Sequence, residues 1–223
     1  HAVLTPMVPR GTPPGSSDDP RPPDPLAYER GFWGRGVSTI AGVDEVGRGP
    51  LAGPVVACAV VLEPGVAIEG ATDSKALDSR RRRVLAAAIR QRAAAVSLGA
   101  ASVREIDRLN ILRATTLAMR RALMGLPRRP DHVVVDGLPV RGLDWEHEAL
   151  VGGDGLVHSI SCASIVAKVV RDDLMVRLAG RYPGFGWETN AGYGTPAHRA
   201  AVDELGSTPH HRQTFLGLQL DLF

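Results

Sequence analysis

Two adjacent acids stand just before a glycine-flanked arginine near the start of the folded sequence. Asp44 and Glu45 are followed by Gly47, Arg48 and Gly49, and the apolar run 55–62 begins soon afterwards. Carboxylates beside buried strand sequence are costly unless a cation neutralises them. The glycines on both sides of Arg48 allow the backbone to approach a ligand closely, because no Cβ stands in the way. Together these residues predict a metal site that acts on a phosphodiester.

Two further acids end strand-like segments. Asp136 follows the apolar run 133–135, and Asp154 follows a short apolar run and two glycines. If these strands pair with the first one, all four acids meet at one end of a sheet. Two unit charges ~4 Å apart repel by about 4 kcal/mol at an effective dielectric constant near 20. The alternative is that Asp136 and Asp154 are ordinary turn residues.

Four carboxylates in one place call for divalent cations. Oxygen ligands suit Mg²⁺ or Mn²⁺ better than zinc. Two such ions about 3.5–4 Å apart activate a water molecule and stabilise the leaving oxygen of an in-line displacement. The acids therefore predict phosphodiester hydrolysis with two divalent ions in each active site.

The hydrophobic pattern predicts the elements that position these acids. We expect strands at 37–46, 54–62, 96–101, 130–137 and 149–154. We expect helices at 78–95, 103–108, 109–126, 159–178 and 196–205. Several consecutive strands followed by mixed strands and helices predict an α/β fold with a mixed central sheet flanked by helices, and with a helical C-terminal region.

Composition limits the remaining possibilities. The chain has 223 residues and a formal net charge of +2, which neither demands nor excludes nucleic acid. Arginine clusters such as 80–83 are either solvated helix faces or nucleic-acid contacts. Cys58 and Cys162 lie in apolar runs without zinc-ligand spacing, which favours buried free thiols. No apolar run approaches the roughly 20 residues that span a bilayer, so we expect a soluble cytoplasmic protein.

The two ends of the chain differ from its middle. Eight of the 17 prolines lie between Pro6 and Pro25, so residues 1–34 are predicted to be a mostly disordered tail. Residues 35–215 are predicted to form the catalytic domain. Residues 216–223 are predicted to be a separate C-terminal tail.

An ordered set of motifs resembles the ribonuclease HII family, the bacterial type 2 ribonucleases H. The motifs lie at residues 43–49, 72–75, 106–112, 135–137, 153–154, 160–172, 192–195 and 210–212. The resemblance runs in order from about residue 39 to 215. One departure is Gly152, which stands where the family has a lysine and so removes a positive charge beside Asp154.

The resemblance implies an RNase H-like fold and hydrolysis of the RNA strand of RNA/DNA hybrids. It also implies incision on the 5′ side of single ribonucleotides in duplex DNA, with 3′-hydroxyl and 5′-phosphate products. The corresponding cellular roles are ribonucleotide excision repair and RNA primer removal. By motif position, the catalytic metal ligands are Asp44, Glu45, Asp136 and Asp154.

The same resemblance implies a set of substrate contacts. Gly47, Arg48 and Gly49 would recognise the ribose 2′-hydroxyl, which is the local mark that distinguishes RNA from DNA. Tyr193 would stack beside the sugar at the RNA–DNA junction; without the resemblance, it is a half-buried core tyrosine. The candidate phosphate contacts are Ser74, Lys75, Asn110, Lys168 and Arg171.

The last five residues resemble the short peptide by which bacterial repair proteins bind the β sliding clamp. Gln219 would fix the register by hydrogen bonds, and Leu222 and Phe223 would fill an apolar pocket. The alternative is an amphipathic tail that packs on its own domain.

Three other interpretations of the whole chain remain at this point. One is a DNA nuclease or transposase of the same fold, and another is a clamp- or hybrid-binding module with an inactive site. The third is a generic α/β domain whose acids are turn residues. Nothing in the sequence argues against a monomer.

Overall fold

The computed structural model describes residues 24–72, 74 and 77–217. The strands are β1 (Ile40–Val46), β2 (Val55–Val61), β3 (Ala95–Ala101), β4 (His132–Asp136) and β5 (Glu148–Leu150). The helices are α1 (Ala27–Trp33), α2 (Ser79–Arg92), α3 (Val103–Leu109), α4 (Ile111–Met124), α5 (His158–Arg181), α6 (Trp187–Asn190) and α7 (Pro196–Leu205).

The five strands form one mixed sheet in the order β3-β2-β1-β4-β5. The pairs β3-β2 and β2-β1 are antiparallel, whereas β1-β4 and β4-β5 are parallel. In the β1-β4 pair, Val43 lies opposite Val135. Asp44 and Asp136 are the next residues on these neighbouring strands, so the topology brings their backbones together. The α/β fold with a mixed sheet is confirmed.

Helices cover both faces of the sheet and enclose two apolar cores. One face packs on α4, where the cluster includes Val43, Ala118 and Met119. The other face packs on α2 and α5, with Val60 and Ile165 in the cluster. Successive side chains of a strand point to opposite faces, so β2 contributes to both cores and is buried along its whole length.

The first turns of α5 lie unusually close to β1. A Cβ on Gly42 would lie 2.4 Å from the carbonyl carbon of Ser159. Small side chains, including Ser161, Cys162 and Ala163, are buried along this part of the helix. Glycine and small residues therefore allow the close approach that positions α5 against the strand carrying Asp44.

Side chains cap several helices as the sequence pattern indicates. Asp78 accepts a hydrogen bond from the Arg81 N–H, which fixes the start of α2. Ser102 and Glu105 form a reciprocal capping box at α3. Such caps satisfy N–H groups that have no partner within the helix.

The prediction of disorder up to residue 34 is wrong for residues 27–33, which form α1. Leu26 is buried there, and the Phe32 ring stacks on His132 with 4.1 Å between the ring centroids. The buried Glu29 carboxylate accepts hydrogen bonds from the Ser159 N–H at 2.8 Å and its hydroxyl at 2.9 Å. The proline-rich sequence before this helix gives no sign of it. The helix is held in place by contacts with β4 and α5, which lie far away in the sequence.

Other elements differ from the sequence prediction near their ends. The strand predicted at 149–154 ends at Leu150, and Asp154 lies in a 3-10 turn, Gly153–Gly155. Helix α5 runs to Arg181, and the short helix α6 was not predicted. Phe185 and Trp187, which flank and begin α6, join a small separate core with Met175.

Two composition-based expectations agree with the described residues. Cys58 and Cys162 are both free and buried. Within the described ranges, no helix has the length and apolar character needed to cross a bilayer.

Candidate active site at the end of the central strands

The end of β1 places two carboxylates at the edge of the core. Asp44 is only 7% exposed, and its Oδ1 accepts the Glu45 N–H at 2.7 Å. The pKa of Asp44 is raised to about 8, mainly by burial and then by the nearby charges of Glu45 and Asp136, while a hydrogen bond from Ser164 lowers it. A carboxylate with this environment is stabilised by proton or cation binding.

Glu45 is flanked by a cation on one side and an anion on the other. Its Oε1 accepts a hydrogen bond from Arg48 Nη1 at 3.1 Å. Burial raises the pKa of Glu45, Arg48 lowers it, and Asp136 raises it. Arg48 thus supplies part of the compensating charge, although half of its side chain is exposed.

Asp136 connects the central strands to the turn that carries Asp154. Its Oδ1 accepts the Gly153 N–H at 2.7 Å. Gly152, with φ of 71°, starts this turn in the left-handed region that glycine tolerates best. Asp154 follows, 9% exposed, and Ser161 donates its hydroxyl to the Asp154 carbonyl. The turn therefore holds the fourth acid next to the start of α5.

The donor set suits a hard divalent cation. The acids offer only oxygen ligands, and the charge of Asp136 lies close enough to raise the pKa of both Asp44 and Glu45. Within the described ranges, no three His, Cys, Asp or Glu side chains stand in an arrangement that closes around an ion. The oxygen ligands and the raised pKa values of Asp44 and Glu45 nevertheless fit a divalent cation by their chemistry.

The turn after β1 lies beside the candidate stacking tyrosine. Gly47 has φ of 92°, and a Cβ there would lie 2.1 Å from Arg171 Nε. A Cβ on Gly49 would lie 3.7 Å from Cε1 of Tyr193, so that ring borders the turn. Tyr193 is 45% exposed rather than a core residue. The structure therefore brings Arg48, Gly49 and Tyr193 together at the surface, whereas Gly47 is buried against Arg171.

A cleft of about 680 Å³ extends from the acids along the start of α4. Glu45, Arg48, Asn110 and Asp136 line it together with Arg113 and Arg141. Asn110 adopts φ of 70° and accepts the Arg113 N–H at 3.1 Å, so it also caps α4. Asn110 therefore lines the same cleft as Glu45 and Asp136, and its contact with phosphate stays a prediction.

Arg171 is wrongly predicted as a phosphate contact. It is fully buried and donates hydrogen bonds to the carbonyls of Pro54, Ala191 and Ala52. Its position on helix α5 does not reveal this burial, because the residues that cover it belong to the turns after β1 and α6. Arg171 therefore connects two loops instead of facing solvent.

The other predicted phosphate contacts have different outcomes. Ser74 is buried, and its Oγ lies 2.8 Å from Ser164 Oγ. Since Ser164 donates to Asp44, Ser74 belongs to a chain of hydroxyls behind that acid rather than to an exposed phosphate site. Lys168 is half-buried and pairs with Asp172 at 2.8 Å. Lys75 lies outside the described residues.

Sequence reasoning missed two kinds of supporting residue. Ser164 and Ser161 of α5 were given no role, although Ser164 donates to the Asp44 carboxylate and Ser161 to the Asp154 carbonyl. Arg212 belongs to a quoted motif but was given no role, and it is fully buried beneath the Gly47–Gly49 turn. For the two serines, the available signal in the sequence was the presence of hydroxyl side chains within the mostly apolar start of α5.

The arginine clusters are partly neutralised by local partners. Arg83 pairs with Asp173, and Arg82 donates to the Ser74 carbonyl at 3.2 Å. Arg120 and Arg121 pair with Asp144 and Glu105, both at 2.7 Å. These contacts favour the interpretation of the clusters as solvated helix faces.

The mixed sheet and the acids at the ends of its central strands define a nuclease with an RNase H-like fold. The family model described as Ribonuclease HII matches residues 41–217. The chain belongs to the ribonuclease HII family, a family of metal-dependent hydrolases that cleave the RNA strand of RNA/DNA hybrids.

Similar proteins support this assignment over most of the chain. Ribonuclease HII of Cereibacter sphaeroides is 56% identical over 189 residues, covering 84% of this chain and 89% of the relative. That of Paracoccus denitrificans is 57% identical over 182 residues, covering 81% and 86%.

Solved structures show the same fold. Ribonuclease H2 from Pyrococcus horikoshii has a TM-score of 0.68 at 29% identity, covering 79% of this chain and 93% of that one. The structure of the PCNA:RNase HII complex from Archaeoglobus fulgidus gives a TM-score of 0.67 at 24% identity, covering 82% and 98%. At this lower identity, the second likeness speaks for the fold alone.

Proposed function

We propose that this chain incises duplex DNA on the 5′ side of single ribonucleotides, in addition to cleaving the RNA strand of hybrids. One observation carries this proposal. The exposed residues Arg48 and Gly49 lie beside the Tyr193 ring, and Arg48 donates a hydrogen bond to Glu45 at the end of β1. A surface that recognises a single 2′-hydroxyl beside the reacting phosphate does not require a longer RNA stretch.

The four acids share one part in the proposed reaction, which is to hold the metal ions. Asp44, Glu45, Asp136 and Asp154 would hold two divalent ions, with Mg²⁺ or Mn²⁺ suited to their oxygen ligands. When bound, such ions activate a water molecule and stabilise the leaving 3′ oxygen, which gives 3′-hydroxyl and 5′-phosphate ends. The hydrogen bond from Gly153 orients Asp136, and that from Ser164 orients Asp44.

The residues after β1 would bind and orient the substrate. Gly49 is exposed and has no Cβ, so its backbone is accessible, and Arg48 lies beside Glu45, where its charge attracts phosphate. Tyr193 would limit the position of the sugar by stacking. Asn110 lies on the cleft wall, where its remaining amide N–H groups are suited to contact the phosphate backbone.

The test is cleavage of a labelled DNA duplex that contains one ribonucleotide, beside an all-DNA duplex of the same sequence. We expect incision only at the 5′ side of the ribonucleotide, with Mg²⁺ or Mn²⁺, and none by an Asp44→Asn protein. Cleavage of both duplexes would indicate a DNA nuclease instead. Binding of both without cleavage would indicate an inactive binding module.

A role in ribonucleotide repair and primer removal follows from this proposed specificity. We also propose that the protein acts in the cytoplasm and as a monomer. Size-exclusion chromatography with light scattering tests the monomeric state, and a mass of two chains would contradict it.

The C-terminal peptide supports a further proposal about a partner. Residues 219–223 lie outside the described residues, and their sequence alone suggests binding to the β sliding clamp. Deletion of these five residues should abolish co-elution with the clamp and leave cleavage of a short duplex unchanged. Co-elution that survives the deletion would refute the proposal.

A further inference from the structure

Two arginines lie fully buried beneath the Gly47–Gly49 turn. Arg171 and Arg212 are both 0% exposed. Within the described residues, neither forms an ion pair with an acid, and their donors go to backbone carbonyls instead. Burial of an uncompensated cation is expensive. Two such cations under one surface turn therefore call for a functional explanation.

Arg212 gathers the carbonyl groups of the turn itself. Its Nη1 donates to the Arg48 carbonyl at 2.8 Å, and its Nη2 donates to the Gly47 carbonyl. Its Nε and Nη2 also donate to the Gly53 carbonyl, at 3.0 and 2.8 Å. A planar guanidinium has five N–H donors in a fixed geometry, so it holds several carbonyls in one orientation.

This arrangement determines the direction of two N–H groups on the other side of the turn. In a planar trans peptide, the C=O and the N–H point in opposite directions. Since the Gly47 and Arg48 carbonyls point inward to Arg212, the N–H groups of Arg48 and Gly49 point outward. Both residues are exposed, and neither N–H finds an acceptor in the described part of the chain.

A buried pair of histidines connects Arg212 to the tyrosine loop. His198 Nδ1 donates to the Tyr193 carbonyl at 2.8 Å, which leaves His198 Nε2 as an acceptor. That Nε2 accepts from Trp187 Nε1 and from His211 Nε2, both at 3.0 Å. His211 directly precedes Arg212 in the chain. The network therefore couples the position of Tyr193 to the arginine that orients the turn.

We propose that Arg212 is a positioning residue for ribonucleotide recognition, because it aims the Arg48 and Gly49 N–H groups at the 2′-hydroxyl beside Tyr193. This inference rests on the proposed function and deepens it. Arg212 itself does not contact the substrate, since it is completely buried. Arg212 acts through the two peptide groups whose carbonyls it binds, those of Gly47 and Arg48. It is also connected to the Tyr193 loop through His211 and His198.

The experiment measures binding without turnover. An Asp136→Asn parent removes one metal-ligating charge, and the asparagine oxygen still accepts the Gly153 N–H. The dissociation constants of this parent are measured in Mg²⁺ by fluorescence anisotropy for the one-ribonucleotide duplex and for the all-DNA duplex. The same pair of measurements is made after adding Arg212→Gln, Arg212→Lys or Arg171→Lys.

Arg212→Gln should lower the preference for the ribonucleotide duplex by about tenfold, since two oriented donors are lost. Its affinity for the all-DNA duplex should stay within about twofold. Arg212→Lys keeps the buried charge, which limits the loss of stability. Its three N–H donors rotate on a flexible stem and do not fix the orientation of the carbonyls as a planar guanidinium does, so the preference should also fall. Arg171→Lys is the matched control, because it is equally buried but bonds other carbonyls. It should lower the melting temperature and keep the preference.

The outcomes separate this inference from the proposed function. A parent preference that survives both changes at Arg212 would overturn the inference alone. An equal loss of preference in Arg171→Lys would also overturn it, since general stability would then explain the effect. A parent with no preference for the ribonucleotide duplex would overturn the proposed function, and the inference with it.

Discussion

The buried histidine pair should make the stability of the fold depend on pH. His211 is 1% exposed, and its Nδ1 accepts the Thr208 N–H at 2.9 Å. Its Nε2 already carries a proton, which it donates to His198. A second proton has to bind Nδ1, which faces the N–H of Thr208. Burial, followed by the nearby His198 and His210, lowers the pKa of His211 to about 4. The perturbation we choose is His211→Gln, which removes this titration.

The sign and size follow from proton linkage. Because the pKa in the folded protein lies below the ordinary value of 6.5, the unfolded chain binds more protons between these values. Stability is therefore complete above about pH 6.5 and is lost as the pH falls towards 4. At about 1.36 kcal/mol for each pKa unit, the full shift corresponds to roughly 3 kcal/mol. Allowing for solvent screening, we expect about 2 kcal/mol at pH 4.5.

Urea unfolding at several pH values between 4.5 and 8 provides the assay. Intrinsic tryptophan fluorescence is a suitable signal, because the Trp187 ring centroid lies 5.1 Å from that of His211. Acids such as Asp44 contribute a pH dependence of the opposite sign, since its pKa is raised. That contribution is shared, so the difference between wild type and His211→Gln isolates the histidine.

We expect the wild type to lose about 2 kcal/mol more than His211→Gln between pH 7.5 and pH 4.5. Parallel curves for the two proteins would refute the reasoning, because they would mean that His211 accepts a proton in the fold at no cost.

Three further predictions concern the acids and the start of α5. At pH 9 without divalent ions, Asp44→Asn should raise the free energy of unfolding by about 1 kcal/mol or more, because it removes a buried carboxylate charge; a lower melting temperature in EDTA would contradict this. Gly42→Ala should cost about 3 kcal/mol in urea unfolding, since its Cβ would collide with the backbone of Ser159. Gly31→Ala, where nothing lies within 4 Å, is the control and should cost nothing. Glu29→Ala should cost about 2 kcal/mol in the same assay, because it leaves the buried N–H and hydroxyl of Ser159 unpaired; an unchanged midpoint would contradict that account.

The strands and most helices were predictable because their signals are local. The continuous apolar run of β2 indicated burial on both faces, and each face indeed packs on a helix. Helix α2 was expected to start at residue 78, and Asp78 accepts the Arg81 N–H there as its cap. The failures occur where local composition opposes tertiary packing. Helix α1 follows a proline-rich stretch, and it is fixed by the contacts of Glu29 and Phe32 with distant parts of the chain.

For the site, the sequence by itself determined which groups are available: four carboxylates, a glycine–arginine–glycine turn and a tyrosine. Types and spacing in a chain specify chemistry, and the ordered motifs specified the family. Only the tertiary structure decided how these groups are held. Parallel pairing of β1 and β4 puts Asp44 next to Asp136. Burial of Arg171 excludes a phosphate contact, and the burial of Arg212 under the turn gives it carbonyl partners far away in sequence. Such roles depend on which polar groups lose water on folding, and that is decided by contacts between segments separated by more than a hundred residues.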